Sequence, residues 1–300
     1  MMSRVALIPP DVRARLKNLR LRARRGAGGD GLGQHASRSR GAGLEFVQYR
    51  AYEPGDEPRR IDWKLFARSD RYFVRESERD SPLTIWIVID ASASMSQADT
   101  ARPEWRKVDA AKTIAACAIE LALRQGDRFG LIALAADGPT LIAAGAGARH
   151  RDRCLLELDR IDCAGAWPPD PALRPLWERV LPSSLVLVLS DFFDDPCADL
   201  ALRFAAARRE VLTLQLLSAD ERDFPFAGGH RFVDRESGLE RRVEAIAARS
   251  DFLERFAAAR SKLTRRFIAA GIRHAEYFLD TAPDLPLQHF FGPVSERLRA

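Results

Sequence analysis

Residues 83–96 read LTIWIVIDASASMS, and this stretch decides the fold. An uninterrupted apolar run of this length is typical of a strand that is buried on both faces, as in a parallel sheet covered by helices. The run ends at Asp90, and Ser92 and Ser94 follow at alternate positions. These oxygens either cap a turn or form a site at the end of the strand.

The chain from residue 83 to 280 alternates between strand and helix patterns. Strands are predicted in RFGLIALA (128–135), SSLVLVLSD (183–191), EVLTLQLLS (210–218) and IRHAEYFLD (272–280), with PTLIAA (139–144) as an edge strand. Helices are predicted over 104–125, 150–161, 172–180, 199–208 and about 241–270. This order predicts an α/β fold with a doubly wound, mostly parallel sheet.

Length and composition place the chain among globular proteins. It has 300 residues, 46% of them hydrophobic and 30% charged, enough for one large domain or two smaller ones. No apolar run reaches the roughly 18 residues of a membrane span, and no secretory signal is visible, so we expect a cytoplasmic protein. The four cysteines form no C-x-x-C pair and are expected to be small core residues.

The N-terminal part of the chain is basic, with 18 Lys or Arg against 11 Asp or Glu in residues 1–80. Seven of the basic residues lie in 11–25, a predicted helix whose apolar face holds Val12, Leu16 and Leu19. We interpret this helix as lying on its own domain, with an acidic partner protein as the next interpretation. Nucleic acid and anionic lipid are further alternatives, although the segment holds no aromatic side chain to stack on bases.

Two of the predicted strands end in an acid, Asp90 and Asp191. Ligands of doubly wound sheets bind at the carboxyl ends of strands, so both side chains are expected at one edge. A D-x-S-x-S loop offers one carboxylate and two hydroxyls, and Mg²⁺ prefers such oxygen ligands. No nucleophile or base accompanies them, which favours a binding protein over the alternative of a metal-dependent hydrolase.

The segment SRSRGAGLEFVQYRAYEPGDEPRRIDWKLFARSDRYFVRESERD (37–80) leads directly into WIVIDASASM. With QGDRFGLIAL and VLSDFFDD downstream, it resembles the von Willebrand factor A-like family known as domain of unknown function number fifty-eight. Genes of that family lie beside those of MoxR-type AAA+ ATPases. The resemblance covers roughly 35–290. It implies a non-enzymatic protein-binding adaptor that works with such an ATPase on a client protein.

The same resemblance implies a metal-ion-dependent adhesion site for Mg²⁺, with Mn²⁺ or Ca²⁺ as substitutes. It maps four residues onto the site: Asp90, Ser92, Ser94 and Asp191. The second loop of such sites normally offers a threonine, but the corresponding stretch CAGAWPPDPALRPL (163–176) has neither Thr nor Ser. Asp170 supplies the only side-chain oxygen there, so the site is either incomplete or uses Asp170.

The charged block 45–68 has two interpretations. Its charges form an ion-pair network that fastens the N-terminal part to the core, or they surround the Pro54-Gly55 turn as a docking face for the ATPase. Trp63 and Phe66 are expected to be packing residues. The candidate partner-binding residues are Arg50, Asp56, Arg59, Arg60 and Asp62. We therefore divide the chain into an N-terminal extension (1–80) and a von Willebrand factor A-like domain (81–292).

Overall fold

The computed structural model describes residues 7–23, 46–53, 58, 61–77, 82–236 and 238–292. The strands are β1 (Phe46–Ala51), β2 (Phe73–Ser77), β3 (Thr84–Asp90), β4 (Arg128–Ala135), β5 (Gly138–Gly145), β6 (Leu185–Ser190), β7 (Glu210–Leu217), β8 (Gly229–Val233), β9 (Glu240–Glu244) and β10 (Arg273–Phe278). The helices are α1 (Pro10–Arg15), α2 (Trp63–Ser69), α3 (Lys107–Gln125), α4 (Ala148–Arg160), α5 (Arg174–Arg179), α6 (Asp195–Ala206), α7 (Ala219–Asp223), α8 (Ala245–Ala269) and α9 (Leu285–Phe291). Within these described ranges, no helix combines the length and apolar character that crossing a membrane requires.

The chain divides into two compact units, a smaller one of residues 26–83 and a larger one that joins residues 1–25 to 84–300. The second boundary lies close to the division predicted at residue 80. The boundary after residue 25 has no counterpart in that division, because the N-terminal helix belongs to the larger unit rather than to an N-terminal extension.

The larger unit contains a sheet in the order β10-β7-β6-β3-β4-β5. Neighbouring strands are parallel except for β5, which runs antiparallel to β4 at the edge. Counted along the chain within this sheet, the order is 3-2-1-4-5-6, that of a doubly wound fold. The predicted α/β fold class is therefore confirmed, and so is the edge position predicted for PTLIAA.

The central strand β3 is buried along nearly its whole length, as its continuous apolar sequence predicts. Its indole at Trp86 lies across Gly130 of β4, where a Cβ atom would come within 2.6 Å of the ring. On the other side, β3 pairs with β6 so that Ile89 lies opposite Leu189. This register carries the polar ends of the two strands to the same edge of the sheet.

The N-terminal helix is shorter than predicted. Helix α1 passes into a 3-10 turn over Leu16–Asn18, and the chain becomes extended at Leu19. The side chain of Gln125 then holds both the backbone NH and the carbonyl oxygen of Leu21, at 2.7 and 3.2 Å. The predicted apolar face is buried, and Arg15 pairs with Asp284 at 2.7 Å, so this segment lies on its own domain.

The smaller unit pairs β1 and β2 antiparallel, with α2 between them along the chain. Phe66 stacks on Tyr72 with ring centroids 4.5 Å apart, as expected of a packing residue. Trp63 is 59% exposed, yet its ring packs edge-on against Phe66 and Tyr72 with centroids 6.1 and 6.4 Å apart, as expected of a packing residue. Among the described residues of this unit, Val74 and Asp62 are buried, while α2 has no buried residue.

A β-hairpin of β8 and β9 precedes the long helix α8. The hairpin was not predicted, because its strands are short and rich in charge and so lack a strong alternating pattern. The helix predicted to begin near residue 241 therefore begins at Ala245, because β9 occupies Glu240–Glu244.

Candidate metal-binding rim

The carboxyl ends of β3 and β6 form a continuous edge. Because Ile89 lies opposite Leu189, Asp90 comes beside Ser190, and Asp191 follows one residue later. We call the surface formed there by residues 90–97, 163–165 and 190–194 the rim, and Asp90 and Asp191 the two rim aspartates.

Asp90 is almost completely buried, with 3% of its surface exposed. Its Oδ1 accepts a hydrogen bond from the backbone NH of Ser92 at 2.9 Å, and its Oδ2 accepts one from Ser190 Oγ at 2.6 Å. Burial, and then the charge of Asp191, raise the pKa of Asp90 to about 6. In the part of the chain that the structure describes, no cationic side chain pairs with Asp90. Its negative charge is therefore uncompensated.

The two serines of the first loop bring their hydroxyls together, with Ser92 Oγ 3.0 Å from Ser94 Oγ. Ser92 stands at the start of a 3-10 turn, Ala93–Ser96, but its side chain makes no capping hydrogen bond. The alternative that this serine is a cap is therefore not supported. Ser92 adjoins the buried carboxylate of Asp90, and its hydroxyl links that carboxylate's surroundings to Ser94.

The second loop touches the first through backbone contacts at Ala164 and Gly165. The backbone NH of Ala93 donates to Gly165 O at 2.8 Å, and Ala164 NH donates to Ala91 O at 3.1 Å. These positions carry no side-chain oxygen, as the absence of Thr and Ser in 163–176 predicts.

Asp170, the only acid of the second loop, makes a different contact. Its two carboxylate oxygens accept hydrogen bonds from Arg203 of α6 at 3.1 and 2.8 Å. This guanidinium lowers the pKa of the exposed Asp170 carboxyl. The structure thus gives Asp170 a surface ion pair, while residues 164 and 165 supply the loop's contact with the rim.

Asp191 differs from Asp90 because it has a counter-charge inside the protein. Lys107 Nζ lies 3.1 Å from Asp191 Oδ2 and 2.7 Å from Glu221 Oε1. Lys107 is fully buried in the first turn of α3. Burial acts to lower the pKa of Lys107, but Asp191 and Glu221 outweigh it, so the pKa is raised.

Lys107, Glu221 and Ser190 were not predicted as parts of the site. Lys107 precedes Ala111 by four residues, so it falls on the apolar face of its helix. A lysine at such a position indicates a buried charge, and this was the signal that could have identified it. Glu221 forms a capping box with Ser218 at the start of α7, a pattern visible as S-x-x-E. Its contact with Lys107 joins residues 114 positions apart and had no local signal.

The candidate partner-binding residues are only partly described. Asp56, Arg59 and Arg60 lie outside the described residues, and Arg50 belongs to β1, whose backbone alone is described there. Asp62 is 5% exposed and caps α2, accepting hydrogen bonds from the backbone NH groups of Lys64 and Leu65.

The rim fits a small divalent cation in its chemistry. Its side-chain ligands are hard oxygens, among them the two neighbouring hydroxyls of Ser92 and Ser94 and the buried carboxylate of Asp90, which has no counter-charge among the described residues. Within the described ranges, no three His, Cys, Asp or Glu side chains are grouped closely enough to hold a metal. Any cation here therefore depends on the serine hydroxyls.

A family model described as "Protein of unknown function DUF58" matches residues 48–262. The chain belongs to this family. Among curated proteins, it is 30% identical over 270 residues to "Uncharacterized protein Rv1480" of Mycobacterium tuberculosis (strain ATCC 25618 / H37Rv), covering 87% of this chain and 83% of that protein. "Uncharacterized protein Mb1516" of Mycobacterium bovis matches with the same identity and coverage.

Solved structures with a similar fold include BatB from Bacteroides thetaiotaomicron, with a TM-score of 0.45 and 12% identity over 73% of this chain and all of that one. The SpRpn10 VWA domain matches with a TM-score of 0.41 and 9% identity, over 71% of this chain and 99% of that one. The doubly wound sheet has the architecture that the resemblance to the von Willebrand factor A-like family implied.

Proposed function

We propose that this protein is a non-enzymatic adaptor that binds a partner protein through a divalent cation held at the rim, with Mg²⁺ as the first choice. The observation that carries the proposal is the buried carboxylate of Asp90, which adjoins Ser92 and, through the Ser92 hydroxyl, Ser94, and which has no counter-charge among the described residues. An unpaired buried charge is costly, and a bound cation removes that cost.

The rim residues divide the work of holding the cation. Asp90, Ser92 and Ser94 supply the first group of oxygens, and Asp191 supplies a further carboxylate that Lys107 holds in position. Because Lys107 already neutralises part of the negative charge, a bound cation would keep some of its positive charge. The cation, when bound, supplies a coordination position for a carboxylate of the partner.

The proposed partner is a MoxR-type AAA+ ATPase, together with a client protein that the pair assembles or remodels in the cytoplasm. The support for this partner is the membership of the DUF58 family. Nucleic acid is less favoured, because the basic N-terminal segment uses Val12 and Leu16 for packing and Arg15 for an ion pair with Asp284.

Calorimetric titration of Mg²⁺ and Mn²⁺ into the full chain tests the cation. We expect wild type to bind, Asp90→Asn to lose at least tenfold in affinity, and Asp170→Asn to bind as wild type does. The Asp170→Asn control removes an exposed carboxylate of the second loop, so a loss there would instead make Asp170 a ligand. Equal binding by wild type and Asp90→Asn would overturn the proposed site.

Capture of the purified MoxR-type ATPase on immobilised protein tests the partner separately. We expect capture in Mg²⁺, with loss in EDTA and in the Asp90→Asn variant. Cation binding without capture would reject the ATPase and keep the metal-binding rim.

A further inference from the structure

The hairpin of β8 and β9 reaches the rim through its tip. Its strands pair from Gly229 opposite Glu244 to Val233 opposite Glu240. At the tip, Asp234 NH donates to Leu239 O at 2.8 Å, and Asp234 Oδ1 accepts from the backbone NH of Glu236 at 2.9 Å. These bonds fix the direction in which the tip residues point.

Arg235 fastens the tip to the first loop of the rim. Its Nε donates to Gln97 Oε1 at 3.0 Å, and its Nη1 donates to Ser96 Oγ at 3.1 Å. Both acceptors belong to the stretch that carries Ser94. These two hydrogen bonds join the hairpin to the loop that carries Ser92 and Ser94, and we call them the Arg235 clip.

The next residue, Glu236, places a carboxyl group beside the acids of the rim. Burial, a hydrogen bond with Asp194 and the charges of Asp194 and the two rim aspartates raise the pKa of Glu236 to about 7. Like charges this close repel one another, and without a cation Glu236 relieves that repulsion by holding a proton and by its hydrogen bond with Asp194. A cation at the rim would turn this repulsion into attraction.

We propose that the hairpin is an intramolecular occupant of the rim, with Glu236 standing where an acidic side chain of a partner would bind and Arg235 holding it there. The proposal rests on the cation-dependent binding proposed above and adds its regulation. A partner carboxylate must displace Glu236, so the rim is closed to partners until the Arg235 clip is released. Occupancy from within the same chain is favoured because the tether gives a high effective concentration.

Hydrogen–deuterium exchange of the full chain, with and without Mg²⁺, tests the contact. We expect Mg²⁺ to slow exchange at residues 93–98 and at the hairpin amides of wild type by about tenfold or more. In Glu236→Gln this response should be lost, because the attraction between cation and carboxylate is gone. The matched control Glu240→Gln removes an exposed carboxylate of the same hairpin that pairs with Arg231 at 3.2 Å, and it should respond as wild type does.

The clip is tested by Arg235→Ala against Arg231→Ala, an arginine of the same hairpin. Arg235→Ala should speed exchange at 93–98 several-fold in the absence of Mg²⁺, and Arg231→Ala should leave it unchanged. Calorimetry on the same samples separates the two proposals. Suppose that Mg²⁺ binds to wild type and not to Asp90→Asn. If hairpin exchange then does not change with Mg²⁺, or if Glu236→Gln responds as wild type does, the intramolecular occupant is wrong and the rim site stands. If wild type binds no Mg²⁺, both proposals fail.

Discussion

The two rim aspartates end neighbouring strands of one sheet, yet the protein treats their charges in opposite ways. Asp191 is paired with the buried ammonium group of Lys107, which also holds Glu221. Asp90 is equally buried but is met by a backbone NH and a serine hydroxyl. Its pKa is raised to about 6, first by burial and then by the charge of Asp191.

This difference separates a structural role from a binding role. In a buried ion pair the two charges neutralise each other within the fold. Removal of one partner leaves a charge that the interior cannot solvate. Asp90 has no counter-charge among the described residues, and the cation that we propose at the rim would supply one. Asp191 thus belongs to a buried ion-pair cluster with Lys107 and Glu221, and Asp90 is the rim aspartate whose charge the proposed cation would balance.

The largest expected effect comes from removing the counter-charge of Asp191. Lys107→Met should lower the free energy of unfolding by about 3–5 kcal/mol, because Asp191 and Glu221 then share a buried site without a cation. Urea unfolding monitored by circular dichroism measures it. The triple variant Lys107→Met, Asp191→Asn, Glu221→Gln should recover most of the loss. A loss below about 1 kcal/mol in Lys107→Met would show that the ion pair does not support the framework.

The partly buried imidazole of His274 in β10 extends the comparison to a base. Burial lowers the pKa of His274 to about 4, against a small opposing effect of Glu276. The unfolded chain takes up a proton near pH 6.5 while the folded chain resists it down to about pH 4. Stability is therefore complete above pH 6.5 and falls as the pH drops through this window, by at most about 3 kcal/mol.

Unfolding free energies measured between pH 7 and pH 4 test this slope. His274→Phe should flatten the slope of stability against pH. The control His230→Ala, at a partly exposed position of the hairpin, should leave that slope as in wild type. An unchanged slope in His274→Phe would assign the pH dependence to other groups.

Asp90→Asn tests the incomplete charge directly. Without metal, the variant should be as stable as wild type or about 1 kcal/mol more stable, because an uncompensated buried charge is removed. At a Mg²⁺ concentration a hundred times the dissociation constant, wild type should gain about 2.7 kcal/mol and the variant almost nothing. Thermal unfolding with Mg²⁺ and with EDTA measures both. A variant that gains as much as wild type would remove Asp90 from the site.

The smallest expected effect concerns the serine hydroxyls. Ser94→Ala should weaken Mg²⁺ binding by about tenfold, or roughly 1.4 kcal/mol, since one neutral oxygen is lost from the set. Ser69→Ala, which removes an exposed hydroxyl that donates to Leu65 O within α2, is the control. Calorimetry measures the affinities, and equal values would leave Ser94 as a structural residue only.

Much of this architecture was predictable from local pattern. The apolar run of β3 and the acid at its end gave the central strand, and the alternation after it gave a parallel sheet. Once the sheet is parallel, acids at two strand ends must share an edge, so the proximity of Asp90 and Asp191 followed from topology. The missing hydroxyl of the second loop was visible as well.

Other parts of the rim depend on contacts between distant residues. Lys107 reaches Asp191 across 84 positions and Glu221 across 114, and Arg235 reaches Ser96 across 139. No short-range pattern encodes such contacts. The early end of α1 is accompanied by a contact of the same kind, because the Gln125 side chain hydrogen-bonds the backbone of Leu21 across 104 positions.

The sequence by itself determined the α/β class, the central strand and the positions of its terminal oxygens, because hydrophobic periodicity and strand ends are local properties. Only the tertiary structure decided which of the two aspartates is neutralised and that a hairpin brings Glu236 to the same edge. Electrostatic balance in a buried site depends on every charge within a few ångströms, and only the folded chain brings those charges together.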